Sequence, residues 1–278
     1  MARRSRKKRD KRVDVGTGIL LAVVGVVMLG LLVGALWWVK KTKVTLDEAT
    51  NCPQAGPHAV HVIIVDRTDP ITQLQAERIR QKIREMREAA PFGKRFDIYT
   101  VEGDANHVLA PILIICSPNR PEDANIWIEN PEIIRRRYEE RFVSVFDKTI
   151  DDLLRISTRD TSPIIESMKA STISSFGPFE QRKLPFRLTM VSDMIQGTPA
   201  YSHYRTEPNF TQLSRSPVWR SLQPNLFGAE VNILYLLRDQ KRGSQLIQGR
   251  THQEFWGQLI SASNGRFVRP PEIVFEPL

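Results

Sequence analysis

Between two apolar runs the chain places oxygen-bearing side chains at short, alternate spacing. In AVHVIIVDRTDPIT, Asp66, Thr68 and Asp69 follow the β-branched run Val60–Val65, and Pro70 closes the group. Oxygens from alternate residues of a turn can face one point, and a hard cation such as Mg2+ takes such oxygens together with water. The competing local role is helix capping, with Thr68 or Asp69 as the cap and Pro70 at the first helical position. Two more hydroxyls, Thr161 and Ser162, stand just ahead of Pro163, and Asp193 closes the apolar stretch FRLTMVSD. Asp66 and Asp193 at one edge could also hold Mg2+ for phosphoester hydrolysis. Against an enzyme, no nucleophile and base stand at useful spacing and no G-x-S-x-G surrounds a strand end. DRTD also has Thr68 where a DxD loop needs its second Asp. His58 and His61 precede the strand core and His203 lies far from His252 in sequence, so zinc spacing is absent.

These turns matter only if strands and helices bring them together. The Val60–Val65 run reads as a strand buried on both faces, and Ile71, Leu74, Ile79, Ile83 and Met86 mark one face of a helix running from Pro70 to near Ala90. Arg95–Glu102 and Leu109–Cys116 read as strands separated only by Gly103–Val108. That is too short for a crossover helix, so the two are antiparallel neighbours. Glu132–Ser157 reads as one long helix, and Pro163 opens a short one with Ile164, Ile165 and Met168 inward. Phe186–Asp193 and Ala229–Leu237 are further strands, Gln245–Ser263 is an amphipathic helix, and Gly265–Phe275 is a last extended segment. The stretch Met194–Gln223 is long, polar and broken by Pro199, Pro208 and Pro217, which makes it a loop suited to recognition through Tyr201, His203 and Tyr204, with Asp69 as a further partner contact. This alternation predicts an α/β, Rossmann-like three-layer sandwich, mostly parallel with one antiparallel edge strand.

A single transmembrane helix precedes it. Val15–Val39 carries no charge over a length that spans a bilayer, and Trp37 and Trp38 sit where an interfacial aromatic belt lies. The predicted organisation is a basic cytoplasmic tail (1–14), the membrane helix (15–39), a polar linker (40–57) and the α/β domain (58–278). The first 43 residues hold 11 of the 40 basic and 2 of the 31 acidic residues, which accounts for the whole net charge of +9. The remaining 29 basic and 29 acidic residues cancel, so the domain offers no electrostatic case for nucleic acid. The tail serves topology and contact with anionic lipid: its heavier basic flank keeps the N-terminus cytoplasmic and sends the domain across the membrane, into the periplasm of a Gram-negative cell. Cys52 and Cys116, the two cysteines, fall at the same predicted sheet edge and form either a disulfide or two separate small hydrophobes.

The order of Asp66 with Thr68, then Thr161 or Ser162, then Asp193 resembles a von Willebrand factor A-like domain of the integrin I type. The match runs from about Val60 to Phe275 and includes the HQEFWGQLISASNG helix, His252–Gly265. That family carries a metal-ion-dependent adhesion site made of a DxSxS loop, a threonine and a later aspartate. The resemblance implies Mg2+ held by Asp66, Thr68, Thr161 or Ser162 and Asp193, with an Asp or Glu of a partner protein completing the coordination. Pro70 departs from the third hydroxyl of the motif, and Met194 from the glycine that follows the last aspartate. The function implied is a membrane-anchored, extracytoplasmic interaction module in an envelope assembly. The alternatives are an Mg2+-dependent phosphoester hydrolase and a scaffold without ligand.

Overall fold

The computed structural model describes residues 15–42, 44–101, 109–123, 130–155, 161–238, 247–268 and 272–274. The basic tail 1–14, Lys43, Gly103–Val108, Trp127, Ser157 and Gln245 lie outside the described residues. Two compact units result, Met1–Thr45 and Leu46–Leu278. The apolar stretch of the first forms helix α1 (Val15–Thr42), which continues past the predicted end at Val39. Its 28 residues rise roughly 40 Å, enough to cross a hydrocarbon core. Among the described residues it is the one helix long and apolar enough to do so.

In the second unit the β-branched run becomes β1 (Ala59–Asp66). Its side chains alternate between two cores: Val60, Val62 and Ile64 face one, Ile63 and Val65 the other. Around it lie α2 (Gln73–Glu88), β2 (Lys94–Val101) and β3 (Leu113–Cys116). A long helix follows as α3 (Pro131–Tyr138), a π-helical turn over Glu139–Val143, and α4 (Ser144–Leu153). Then come α5 (Ile164–Phe176), β4 (Phe186–Ser192), the short α6 (Phe210–Arg215) and α7 (Trp219–Leu222), β5 (Glu230–Leu236), α8 (Arg250–Ala262), β6 (Arg266–Phe267) and β7 (Glu272–Val274). The sheet runs β3-β2-β1-β4-β5-β6, with β7 also paired to β5. Among the described strand pairs of this sheet, only β2–β3 is antiparallel. Helices α2 and α4 cover one face, and α5 and α8 the other, so the unit is the three-layer α/β sandwich expected from the sequence.

Two expectations need correction. Helix α2 does not start at Pro70. Thr72 is its cap, accepting from the Gln75 amide while the Gln75 side chain accepts from the Thr72 amide. That frees Asp66, Thr68 and Asp69 from capping. The strand expected from Leu109 begins only at Leu113, because Pro111 has no amide to donate to the ladder. Within the segment 40–57, Thr50 O accepts from the Cys116 amide at 2.8 Å, Asn51 Nδ2 donates to Arg141 O, and Cys52 is disulfide-bonded to Cys116. The segment is thereby tied to the end of the antiparallel edge strand at Cys116.

Candidate functional site

Adjacent parallel strands bring the two aspartates to one edge. Val65 of β1 stands opposite Val191 of β4, so Asp66 and Asp193 emerge together at the carboxyl end of the sheet. Each closes a turn two residues long. Asp66 Oδ1 accepts from the Thr68 amide at 2.9 Å, and Asp193 Oδ1 from the Ile195 amide at 2.9 Å. Asp66 is further saturated by hydroxyls: Thr68 Oγ1 at 2.6 Å on Oδ1, Ser192 Oγ at 2.7 Å and Ser162 Oγ at 3.5 Å on Oδ2. Ser162, one of the two hydroxyls ahead of Pro163, thus donates to Asp66. Its backbone exchanges two 2.9 Å bonds with Gly197, which ties the loop before α5 to the loop after β4.

Asp193 is 1 % exposed and has a different partner. Arg238, just past β5, donates from Nε to Asp193 Oδ2 at 2.6 Å and from Nη1 to Pro70 O at 2.6 Å. Its Nη2 is buried without a hydrogen bond and lies 3.8 Å from Asp69 Oδ2. Burial pushes the Asp193 carboxyl up to about 6; Arg238 pulls it down and the charge of Asp66 pushes it further up. Gln248 completes the junction, accepting from the Arg238 amide and donating to the carbonyls of Asp193 and Leu236.

Do these residues fit the divalent ion that the resemblance implies? The donor set argues against it. Both lone-pair positions of Asp66 Oδ1 are taken, Asp193 Oδ2 faces a guanidinium at 2.6 Å, and Pro70 offers a carbonyl already bonded to the same guanidinium. A second positive charge would have to enter beside a permanent one. Among the described residues, no group of three or more His, Cys, Asp or Glu is arranged to hold a metal.

Behind the rim sits a buried network of rings. His203, expected on a recognition surface, is buried, and its ring meets those of Tyr201, His252, Phe255 and Trp256. Although 49 residues apart, His203 Nδ1 and His252 Nε2 lie 3.2 Å from each other. Met194 O accepts from His252 Nε2 and Trp256 Nε1, both at 2.9 Å, so His252 Nδ1 accepts from the Tyr235 hydroxyl at 2.5 Å. Burial holds both histidines neutral, lowering His252 to about 4 and His203 to about 2. Tyr201 is half-buried and stacks on Phe255. Tyr204 alone of the three is outward, 59 % exposed.

Sequence reasoning missed Ser192, Gln196, Arg238 and Gln248. Ser192 adjoins Asp193 and Arg238 follows the apolar strand NILYLL, so their positions at strand ends were a readable signal. Gln196 and Gln248 gave none: Gln196 Oε1 accepts from the Ile165 amide at the start of α5, a pairing across 31 residues.

No protein-family model matches the chain, and no curated protein does. Among solved structures it is similar to an aerotolerance-related membrane protein from Bacteroides fragilis, at 12 % identity and a TM-score of 0.39, covering 76 % of this chain and 90 % of that one. It is also similar to the ArnB paralog VWA2 from Sulfolobus acidocaldarius, at 10 % identity and a TM-score of 0.39, covering 76 % of this chain and 41 % of the other. The fold assignment rests on the strand order and pairing described above.

Proposed function

We propose that the chain is a membrane-anchored, extracytoplasmic interaction module that docks a protein partner at the carboxyl edge of its sheet, as one part of an envelope assembly. The observation that carries this reading is the rim itself. Three aspartates and an arginine converge there on a rigid, hydrogen-bonded frame, with half-exposed Asp69 and outward Tyr204 left facing solvent. An aromatic ring beside a charge on a rigid support is the composition of an interface anchor. The disulfide supports an oxidising compartment, and the basic flank ahead of α1 supports the matching topology. The hydrolase reading needs a carboxylate pair open to Mg2+, and the guanidinium on Asp193 speaks against it.

A photo-crosslinking residue placed at Tyr204 in the full chain, in its native membrane, tests the proposal. A discrete protein adduct is expected at Tyr204 and not at exposed Glu180, ahead of β4. Co-purification of that same protein with the chain carrying no crosslinker should be abolished by Tyr204→Ala with Asp69→Ala. Adducts of equal yield at both positions, or recovery that ignores the double substitution, would refute docking at this edge.

A further inference from the structure

An ion in an adhesion site does two things: it neutralises carboxylates drawn together by the fold, and it ties separate loops to one point. In this chain one side chain does both. The guanidinium of Arg238 reaches the loop after β4 through Asp193 and the loop after β1 through the carbonyl of Pro70, while its own backbone belongs to the end of β5. The Arg238 amide is itself fixed by Gln248, whose other end holds the Asp193 carbonyl. Three strand ends are thus joined by a planar cation that cannot dissociate and does not deprotonate at physiological pH.

The departure at Pro70 belongs to the same arrangement. A serine or threonine there would supply a hydroxyl; proline supplies only its carbonyl, and that carbonyl accepts from Arg238 Nη1 at 2.6 Å. The motif loses a metal ligand at the position where the structure gains an arginine acceptor. The hydroxyls of Thr68, Ser162 and Ser192 all point to Asp66, which satisfies that carboxylate without an ion.

We propose that Arg238 is the resident cation of this rim, taking over the charge-neutralising and loop-tying role of a divalent ion, so that the site assembles without metal. The inference goes beyond the docking proposal, and its readouts involve no partner, so it can stand or fall separately.

The full-length protein, purified in detergent without a histidine tag, is unfolded thermally in EDTA and in millimolar Mg2+ or Mn2+, and is dialysed to equilibrium against Mn2+. The expected result is the same Tm in both media and no stoichiometric Mn2+ retained. Arg238→Gln, which keeps hydrogen-bonding capacity but removes the charge, should lower Tm in EDTA by roughly 10 °C, the scale for breaking a buried ion pair. Arg238→Lys keeps the charge but cannot span Asp193 and Pro70 together, and should fall between the two. Stoichiometric Mn2+ on the wild type overturns the proposal, as does a wild-type Tm that rises with Mg2+ and stops doing so in Asp193→Asn. An Arg238→Gln protein that melts with the wild type also overturns it. Should Arg238→Gln fail to fold, the wild-type dialysis decides alone.

Discussion

At φ +61° Met194 holds a left-handed backbone, which costs an L residue roughly 1–2 kcal/mol. It stays there because its amide donates to Ser192 Oγ, its carbonyl takes two buried donors, and its side chain is wholly inside the core. Glycine would relieve the backbone but empty a packed site, a loss of about 2–5 kcal/mol for a buried methionine cut back to a small residue. Packing wins, so Met194→Gly is expected to destabilise by about 2 kcal/mol, read as a lower denaturant midpoint at unchanged slope. The histidines behind Met194 set a pH dependence. His252 is lowered from 6.5 to about 4 by burial, and His203 to about 2 by burial and the neighbouring His252. Below pH 6.5 the unfolded chain takes up protons that the folded one refuses. Stability from His252 is therefore complete above pH 6.5 and drains away as the pH falls toward 4, by roughly 3 kcal/mol in all. Urea titrations across that range should show a shallower pH slope for His252→Gln than for the wild type, and equal slopes would contradict a neutral buried ring.

Helix α2 shows how an element can be legible in kind and misread at its boundary. Pro70 after Asp69 has the look of a helix start, yet T-x-x-Q at Thr72–Gln75 is the capping box the chain uses. Thr72→Ala should cost about 1 kcal/mol in chemical denaturation, the usual value of a lost N-cap, whereas Asp69→Ala should leave α2 unchanged. Strands were easier to read because β-branched runs such as Val60–Val65 are buried on both faces and carry their signal locally. The short gap after Glu102 likewise sufficed for the antiparallel pairing of β2 and β3. What stayed hidden depends on distance in sequence. Arg238 lies 45 residues from Asp193 and His252 lies 49 from His203, and neither pairing leaves a periodic trace. The aspartates of the site were visible as types at strand ends; the cation that answers them was not, because a lone arginine after a strand is ordinarily a solvated end.

Across the molecule, the disulfide and the basic tail make one prediction jointly. Cys52 and Cys116 are 64 residues apart, and closing a loop of that size restricts the unfolded chain by about 4 kcal/mol on the chain-entropy account. That stabilisation exists only where thiols oxidise, so the compartment of the domain affects its stability. In the proposed topology the compartment follows from charge: eight Lys and Arg precede the apolar stretch and three follow it closely. Cells quenched with an alkylating reagent should therefore leave both cysteines of the wild type unlabelled until a reductant is added. Neutralising the eight basic residues of 1–14 leaves Lys40, Lys41 and Lys43 as the dominant flank, which should retain the domain in the cytoplasm. Both thiols should then label without reductant, and the domain should become more sensitive to protease, because the unfolded state is no longer constrained. Labelling of the wild-type thiols without reductant would refute the proposed topology, placing the domain on the reducing side with its cysteines unpaired.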